Sequence, residues 1–302
     1  SRRKFFEPAL NDGTWNSFEN LDAVYYKNIS RFTYLKSQKT SDYLNGVPVV
    51  TQTEYFYNNP SHYQLNKQKI TFPDASINET NYSYAHEKGN QLMIDKNMVG
   101  IPLETTTNQT IGSSTKTLSR TETIYPKTIA EITNNSASLV LPTSVLSYDL
   151  QNSTVSSTEV TYDKYDSKGN LQQYTTKEGI PTTIIWGYSN TQPIAKIEGA
   201  KLSDINQSLI DSIVNASDND GQLSTDASEQ SLISALDVFR NNSALAGYQI
   251  STYTYDPLIG VKSITPPSGI RELYKYDTAN RLEKVIDING KVLKEFKYNY
   301  KN

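Results

Sequence analysis

The sequence predicts a mainly β protein, a meandering antiparallel array of β-hairpins that forms an open sheet or a partial shell and carries one inserted αα-hairpin. Three observations support this prediction. The chain holds 22 Tyr among 302 residues, and Tyr suits half-buried pleated surfaces. Tyr255-Asp256 recurs 21 residues later as Tyr276-Asp277. One segment of the last third departs from this pattern and has helical periodicity.

Composition argues against several classes of function. The formal net charge is −3, with both signs interspersed and no basic patch, so we expect no nucleic-acid partner. No apolar run approaches the ~18–20 residues of a membrane span. The chain has no Cys, which removes disulfides, thiolate metal sites and Cys nucleophiles. Its two histidines, His62 and His86, lie in polar stretches, which argues against His-based catalysis or metal binding.

The chain divides into three predicted regions. Residues 1–45 are an N-terminal segment whose apolar residues follow no clean period. Residues 46–150 are an irregular β-hairpin region. Residues 151–302 are a Tyr-Asp repeat β region, interrupted at about residues 201–246 by a helical insert.

The clearest signal before residue 150 is Asn45-Gly46, which lies between two alternating runs. Both residues tolerate a positive φ, so the pair predicts a tight hairpin between Phe32–Thr40 and Val47–Tyr57. Further strands or hairpin arms are predicted at Leu65–Phe72, Leu92–Ile94, Thr121–Ile132 and Ser138–Tyr148, and residues 106–118 are predicted as a loop or an edge hairpin.

A register accompanies the Tyr-Asp pairs. With the repeat Tyr as position zero, apolar or aromatic residues recur at plus six and plus nine and Gly at plus fourteen for Tyr165, Tyr255 and Tyr276. Tyr188 keeps the first two offsets. The pattern predicts a strand ending in aromatic-x-Tyr, a turn made by Asp, a second strand, and a Gly turn that needs positive φ. Such hairpins bury their faces only by stacking on neighbours.

Residues 201–246 interrupt this register and predict an αα-hairpin in place of a β-turn. A helical pattern begins at Ser203, with apolar residues four apart. Asp226–Glu229 is a capping-box pattern that opens a second helix, with Asp226 as the cap. The apolar residues of the two helices are Ile205, Leu209 and Ile213 in the first and Leu232, Leu236 and Phe239 in the second.

These motifs resemble a known family. Tyr165–Leu171 (YDSKGNL) and Tyr276–Leu282 (YDTANRL) are similar to the YD repeat of Rhs/YD-repeat proteins. Tyr162–Ile197 and Thr252–Asn302 resemble the C-terminal part of large exported YD-repeat proteins of Bacteroidetes, and Asn97–Leu103 is similar to a stretch upstream in them. The resemblance implies long β-hairpin ribbons, often coiled into a shell around cargo, together with export and a role at the cell surface.

The sequence departs from this family in two places. Self-cleaving members carry an Asp-Pro-x-Gly type site, whereas Asp256–Gly260 (DPLIG) is one residue longer. The sequence given ends at Asn302, which leaves no room for a toxin domain. We therefore expect neither self-cleavage nor toxin delivery.

Two sets of residues are candidate sites, each with a structural alternative. Asp218 and Asp220 suggest a calcium loop, but the EF-hand spacing fails, so we predict no metal site and a solvated loop between the helices. Six flat aromatic side chains could stack on sugar rings, or they could form the face buried between hairpins. These are Trp186, Tyr188, Tyr253, Tyr255, Tyr274 and Tyr276.

The leading functional prediction is a non-enzymatic structural or interaction module of an exported, cell-surface YD-repeat protein, with the helical insert as the recognition element. Its expected partner is another protein, such as the rest of a longer YD-repeat chain or a surface or secretion complex. No cofactor is expected. The first alternative is a carbohydrate-binding or adhesion surface with a glycan as ligand. The minor alternative is a glycosidase that uses Asp256 and Asp277, although Asp after Tyr also forms turns.

Overall fold

The computed structural model describes residues 2–5, 21–24, 27, 33–135 and 138–299. Within these ranges lie eighteen strands, numbered β1 to β18 in chain order: Arg2–Phe5, Leu21–Val24, Ser37–Leu44, Val47–Phe56, Lys67–Thr71, Ile77–Ser83, Glu104–Ile111, Ser114–Ile124, Ser144–Tyr148, Ser156–Tyr165, Leu171–Thr176, Pro181–Gly187, Gln192–Glu198, Gln249–Asp256, Gly260–Thr265, Glu272–Tyr276, Leu282–Asp287 and Val292–Glu295.

Strands β3 to β18 form one open sheet of 16 strands, in which each strand pairs antiparallel with its neighbours in the chain. Strands β1 and β2 form a separate two-stranded sheet. The described helices are α1 (Gln91–Asp95), α2 (Ile129–Asn135), α3 (Gln207–Leu223) and α4 (Asp226–Arg240). The predicted fold class is confirmed: a meandering antiparallel sheet with a helical pair. None of the described helices combines the length and the apolar character that crossing a membrane requires.

The first half of the sheet confirms one predicted turn and corrects three assignments. Asn45 and Gly46 have φ of 51° and 81° and join β3 to β4. The predicted strand Leu92–Ile94 is wrong, because these residues lie in α1. The predicted strand Thr121–Ile132 is too long, because β8 ends at Ile124 and α2 begins at Ile129. Residues 106–118 form the β7–β8 hairpin, which lies inside the sheet and not at an edge.

The two short helices, α1 and α2, pack over a small core on one face of the sheet, and the burial of their apolar side chains stabilises them. Asn90 caps α1, since its Oδ1 accepts a hydrogen bond of 3.1 Å from the Met93 N–H. This places Met93, which is fully buried, against apolar residues from distant segments. The buried members of this core are Ala85, Met93, Leu103, Ile132 and Val140. Burial of a side chain of this kind contributes roughly 1.5–3 kcal/mol, which outweighs the local strand pattern.

The predicted register of the repeat is confirmed for three units. Tyr165 pairs with Leu171, Tyr255 with Val261 and Tyr276 with Leu282, each at an offset of six. A β-bulge lies next to each of these pairs, where two residues of the second strand oppose one of the first. The glycines at plus fourteen all have positive φ, namely 79° at Gly179, 81° at Gly269 and 80° at Gly290.

An aromatic ladder connects successive hairpins. The hydroxyl of Tyr276 donates a hydrogen bond of 2.9 Å to the carbonyl oxygen of Val261, the plus-six residue of the preceding unit. The Tyr298 hydroxyl donates in the same way to Leu282, at 2.9 Å. Burial raises the pKa of Tyr276, so its hydroxyl keeps the proton that it donates. The remaining bonds of this type run from Tyr84 to Leu65, from Tyr165 to Pro142 and from Trp186 to Leu171, each at 2.8 Å.

Each Asp that follows a repeat Tyr forms its own turn. Oδ1 of Asp277 accepts hydrogen bonds from the N–H groups of Ala279 and Arg281, at 2.8 and 3.0 Å. Oδ1 of Asp256 accepts one from the N–H of Leu258, at 3.0 Å. The carboxylates therefore bind the backbone two residues on, as expected for turn-forming Asp.

The Glu87 carboxylate and its hydrogen-bond donors, here called the Glu87 hub, connect the loops beside Tyr84. Glu87 accepts hydrogen bonds from Asn59 Nδ2 at 2.7 Å and from the Tyr84 N–H at 3.0 Å. His62 Nδ1 accepts from the Gln64 N–H, so its Nε2 carries the hydrogen that it donates to Glu87 at 3.0 Å. Partial burial raises the pKa of Glu87, but these hydrogen bonds outweigh burial and lower the pKa from 4.5 to about 2.

We expect the Glu87 hub to stabilise the fold in a pH-dependent way. Because the folded pKa lies below the unfolded value, its contribution is present above pH 4.5 and is lost as the pH falls toward about 2. Over this window the wild type should lose more of its free energy of unfolding than Glu87→Gln, as measured by urea titrations at several pH values. The exposed carboxylate variant Glu178→Gln is the control. Parallel curves for wild type and Glu87→Gln would contradict the assignment.

We expect Tyr276→Phe to lower the free energy of unfolding by about 1 kcal/mol, because the half-buried Val261 carbonyl loses its partner while the ring remains. Tyr43→Phe is the matched control, since Tyr43 is 74% exposed. Urea denaturation of the two variants measures the difference, and equal stabilities would remove the ladder as a source of stability.

Candidate interaction site at the helical hairpin

The helical hairpin, residues 199–248, replaces one Gly turn between β13 and β14. It does not interrupt the sheet, because Ala195 still pairs with Thr252. Helix α3 begins later than the predicted Ser203, at Gln207, and the side chain of Asn206 caps it. Helix α4 has Thr225 as its cap, one residue before the predicted Asp226, in a reciprocal box with Ser228.

The apolar faces of α3 and α4 pack on β12, β13 and β14 and form the larger core. In α4 the buried face includes Leu232, Leu236 and Phe239, as predicted from the helical period, together with Ser228 and Ile233. The core residues come from the helical hairpin, the three strands beneath it and the turn between β12 and β13. They are Ile185, Tyr188, Ile194, Ala195, Ile197, Ala200, Ile205, Ile210, Ile213, Leu232, Leu236, Phe239, Leu245 and Ile250.

Helix α3 is fixed to the turn between β12 and β13. The Tyr188 N–H donates to Ser217 Oγ at 3.2 Å, and the Ser189 N–H donates to Asp218 Oδ1 at 2.6 Å. The buried Tyr188 hydroxyl donates to Asp220 Oδ2 at 2.9 Å and accepts from the Tyr255 N–H at 3.0 Å. Burial raises the pKa of Tyr188 above its ordinary range, which keeps the donor protonated.

The same turn has a strained backbone, which its contacts with α3 hold in place. Tyr188, Ser189 and Asn190 have consecutive left-handed φ values of 50°, 58° and 62°. Left-handed conformation costs roughly 1–2 kcal/mol per residue, so the hydrogen bonds from α3 offset a local penalty. Gly187 allows the close approach, since a Cβ there would lie 2.1 Å from Ser217 Oγ.

Helix α4 is fixed to the sheet by charged side chains. Lys262 Nζ lies 2.6 Å from Glu229 Oε2, and Arg271 pairs with Asp237. Arg240, in the last turn of α4, donates to the carbonyl oxygens of Ile250, Thr265 and Pro266. Burial lowers the pKa of Arg240 from its ordinary value. Its guanidinium still remains charged, because arginine does not deprotonate in proteins.

A cleft of about 760 Å³ lies where the C-terminal end of α4 meets the turns after β15 and β17. This volume falls in the usual range for ligand-binding clefts. Two arginines and two carboxylates line it, namely Arg240, Arg271, Asp237 and Asp287, and Arg271 pairs with Asp237. Ile270 and Ile288 also line the cleft, and they are 68% and 69% exposed.

The structure places the six predicted aromatic residues within the sheet and its core. Tyr188 is 5% exposed, and the other five are half-buried. Polar tips of several are already hydrogen-bonded, as in the Trp186 and Tyr276 ladder bonds and in Tyr274, whose hydroxyl donates to Glu272. These rings therefore do not form the contiguous exposed patch that the sugar-stacking alternative requires.

The register of the Trp186 unit differs from the predicted one. Trp186 pairs with Pro193 and donates the ladder bond to Leu171, so it takes the place that Tyr occupies in other units. Tyr188, predicted as position zero, lies in the turn. This frees its side chain to contact α3.

The prediction of a loop at Asp218–Gly221 is wrong, because these residues belong to α3. Asp220 is 4% exposed and accepts hydrogen bonds from Tyr188 and from Ser228 Oγ at 2.8 Å, which stabilises it inside the helix. Gly221 lies against the Tyr188 ring, with 3.0 Å between its virtual Cβ and Tyr188 Cδ1. No group of three or more His, Cys, Asp or Glu suited to a metal ion occurs in the described ranges.

The sequence prediction did not include the residues that line the cleft. Arg240 and Arg271 have no motif around them, and Ile270 follows a repeat glycine like any turn residue. One signal was present: Arg240 is the single Lys or Arg between Lys201 and Lys262, at the end of an amphipathic helix. A lone cation at a helix C-terminus is expected to contact backbone carbonyls.

No protein-family model and no curated protein matches the chain. Among solved structures, the crystal structure of TcdB2-TccC3-Cdc42 aligns at 13% identity with a TM-score of 0.33, over 83% of this chain and 12% of that chain. The crystal structure of TcdB2-TccC3 aligns at 12% identity with a TM-score of 0.34, over 84% and 12%. A Photorhabdus luminescens Tc holotoxin pore with a mutation in TccC3 aligns at 13% identity with a TM-score of 0.33, over 83% and 12%. The chain thus spans 12% of the length of these chains.

We expect Gly187→Ala to displace α3, because the new Cβ would overlap Ser217 Oγ and approach the Ile194 side chain to 2.9 Å. Overpacking of this kind costs about 1–3 kcal/mol. Gly247→Ala is the matched control, since a Cβ there meets nothing within 4 Å. Hydrogen exchange of α3 amides together with urea denaturation measures the effect. Unchanged protection of α3 would contradict the predicted contact.

Proposed function

We propose that this chain is a non-enzymatic interaction module of an exported, cell-surface protein of the Rhs/YD-repeat type from Bacteroidetes. In this proposal the sheet is a rigid scaffold, and the helical hairpin with its cleft binds another protein. One observation carries it. The helices are not needed for continuity of the sheet, because β13 pairs directly with β14, yet the C-terminal end of α4 and the residues after it line a 760 Å³ cleft.

The chemistry of the cleft suits a segment of another protein. Its exposed isoleucines, Ile270 and Ile288, offer apolar surface to a partner side chain. Arg240 and Arg271 line the cleft together with Asp237 and Asp287, so it offers charged groups of both signs to polar groups of a partner. Arg is among the residue types enriched at binding hot spots.

The surroundings of the carboxylates support a non-enzymatic role. Asp256 and Asp277 accept hydrogen bonds from their own turns, and Arg281 holds the pKa of Asp277 below its usual value. Glu104, on β7, pairs with both Lys88 and Arg120. A carboxylate whose pKa is lowered in this way, as in Asp277, is poorly suited to donate a proton. Hydrolysis of aryl glycosides that is abolished by Asp277→Asn would overturn this part of the proposal.

Export to the cell surface rests on the YD-repeat resemblance, carried by Tyr165–Leu171 and Tyr276–Leu282. The test is protease treatment of intact cells that naturally produce the protein, with a cytosolic protein as control. We expect the chain to be digested while the control stays intact. Protection of the chain until the cells are lysed would contradict surface exposure.

We expect Ile270→Glu to abolish partner capture, because it places a carboxylate on the apolar rim of the cleft. Ile180→Glu is a matched control: Ile180 also follows a turn Gly, is 49% exposed and does not line the cleft. The measurement is quantitative capture of surface proteins from the native cells by wild type and both variants. Wild type and Ile180→Glu should capture similar amounts of partner, whereas the amount captured by Ile270→Glu should be at least about tenfold lower. Equal capture by all three would overturn the cleft as the binding site.

A further inference from the structure

A smaller groove, here called the Trp186 groove, lies between α3 and the strands β11 and β12. Its volume is about 200 Å³, and none of its lining residues also lines the larger cleft. Sites for drug-sized ligands usually measure roughly 300–1,000 Å³, so this groove suits a smaller unit, such as one ring of a longer molecule.

Trp186 lines this groove, and its ring is held in one position. The indole N–H donates to the Leu171 carbonyl at 2.8 Å, so the ring has only apolar surface left to offer. The ring is half-buried, and within the described residues it is not part of the larger core, although its neighbour in β12, Ile185, is. The Tyr255 ring, by contrast, packs against that core. A fixed aromatic surface is therefore open to the groove.

A β-bulge supplies the first polar group beside this ring. Gln172 is the extra residue of the bulge next to the Tyr165 pair, and it lines the groove. The equivalent bulge residue of a later unit, Lys262, pairs with Glu229 of α4. The side-chain amide of Gln172 has no hydrogen-bond partner in the part of the chain that the structure describes. Its donor and its acceptor are therefore free to bind a ligand.

Three more polar side chains line the groove, and α3 supplies two of them. Gln207 Nε2 donates to Asp211 Oδ1 at 2.8 Å, which leaves Gln207 Oε1 and Asp211 Oδ2 as acceptors. Asn190, in the left-handed turn after β12, contributes an amide that no described residue binds. Neither Lys nor Arg is among the residues that line the groove.

This composition matches a neutral sugar ring better than an extended peptide or an acidic ligand. A pyranose has a C–H face that packs on an aromatic ring, and its hydroxyls both donate and accept, as amides do. An extended peptide would need free backbone groups, but β11 and β12 are inner strands that pair on both sides. An acidic ligand would meet the Asp211 carboxylate without a cation in the groove to offset it.

We propose that the Trp186 groove binds one neutral pyranose unit of a glycan. The sugar ring stacks on Trp186, the amides of Gln172 and Asn190 bind its hydroxyls from the sheet, and Gln207 and Asp211 bind them from α3. A single ring with a polar rim replaces the contiguous aromatic patch that the structure does not form. This activity is separate from protein binding at the larger cleft, because the two sites share no residue.

Tryptophan fluorescence tests the proposal. The chain has two Trp residues, so Trp15→Phe leaves Trp186 as the single tryptophan. The probes are the methyl glycosides of glucose, galactose, mannose and N-acetylglucosamine, and glucuronic acid is the acidic comparison. We expect a saturable change of Trp186 emission with at least one neutral glycoside and none with glucuronic acid. Calorimetric titration of the unchanged chain with the same probes repeats the measurement without the Trp15 substitution.

Variants of the rim locate the binding. We expect Gln172→Ala and Asp211→Ala each to weaken binding of the responding glycoside about tenfold, because each removes hydrogen bonds to its hydroxyls. Gln222→Ala is the matched control, since Gln222 is exposed on α3 and does not line the groove. Ile270→Glu should also bind the glycoside with unchanged affinity, because the larger cleft is not involved.

Three results would each overturn the proposal and leave protein capture at the larger cleft intact. These are the absence of a saturable response to all the neutral glycosides, an equal response to glucuronic acid, and unchanged affinity in both Gln172→Ala and Asp211→Ala. Loss of surface-protein capture with Asp211→Ala, when no glycoside changes Trp186 emission, would also overturn it, because the occupant of the groove would then be a segment of another protein.

Discussion

The sheet depends on one recurring interaction, the hydrogen bond from an aromatic side-chain tip to a carbonyl of the preceding hairpin. In the Tyr276 and Tyr298 units this carbonyl belongs to a residue beside a β-bulge. A bulge disrupts the local backbone ladder and exposes a carbonyl that needs a donor. The Tyr hydroxyl supplies that donor, while its ring covers the adjacent pair. The repeats that carry this bond therefore encode the connection to their neighbour, and stability accumulates from one unit to the next.

The helical hairpin docks where this ladder is altered. Trp186 donates the ladder bond through its indole nitrogen, and Tyr188 lies two residues later in a left-handed turn. The Tyr188 hydroxyl then connects three other elements, because it binds Asp220 of α3 and the Tyr255 backbone of β14, while Asp220 also binds Ser228 of α4. A change of one aromatic residue in the repeat thus coincides with a specific attachment point for the insert.

The regularity of the array explains where distinctive chemistry is found. Within the repeats, Tyr forms the hydrogen bond between hairpins, and Asp and Gly form the turns, as shown by Tyr276, Asp277 and Gly269. Groups that differ from one unit to the next occur where the repeat is interrupted. The Arg240 cleft is such a place, and the apolar side chains of Ile270 and Ile288 are exposed there. Rigid scaffolds commonly carry recognition in such irregular segments.

The sequence by itself determined the features that depend on a few neighbouring residues. The Asn45 turn and the Asp277 turn follow from φ preferences and from side chains that bind their own backbone, and the αα-hairpin follows from helical periodicity. Only the tertiary structure decided the role of Trp186, the helical placement of Asp220 and the cleft around Arg240. Each of these depends on partners 15 to 32 residues away in the chain, such as Leu171 for Trp186. Local pattern does not specify such contacts, because they exist only once the strands are paired and the helices are packed against them.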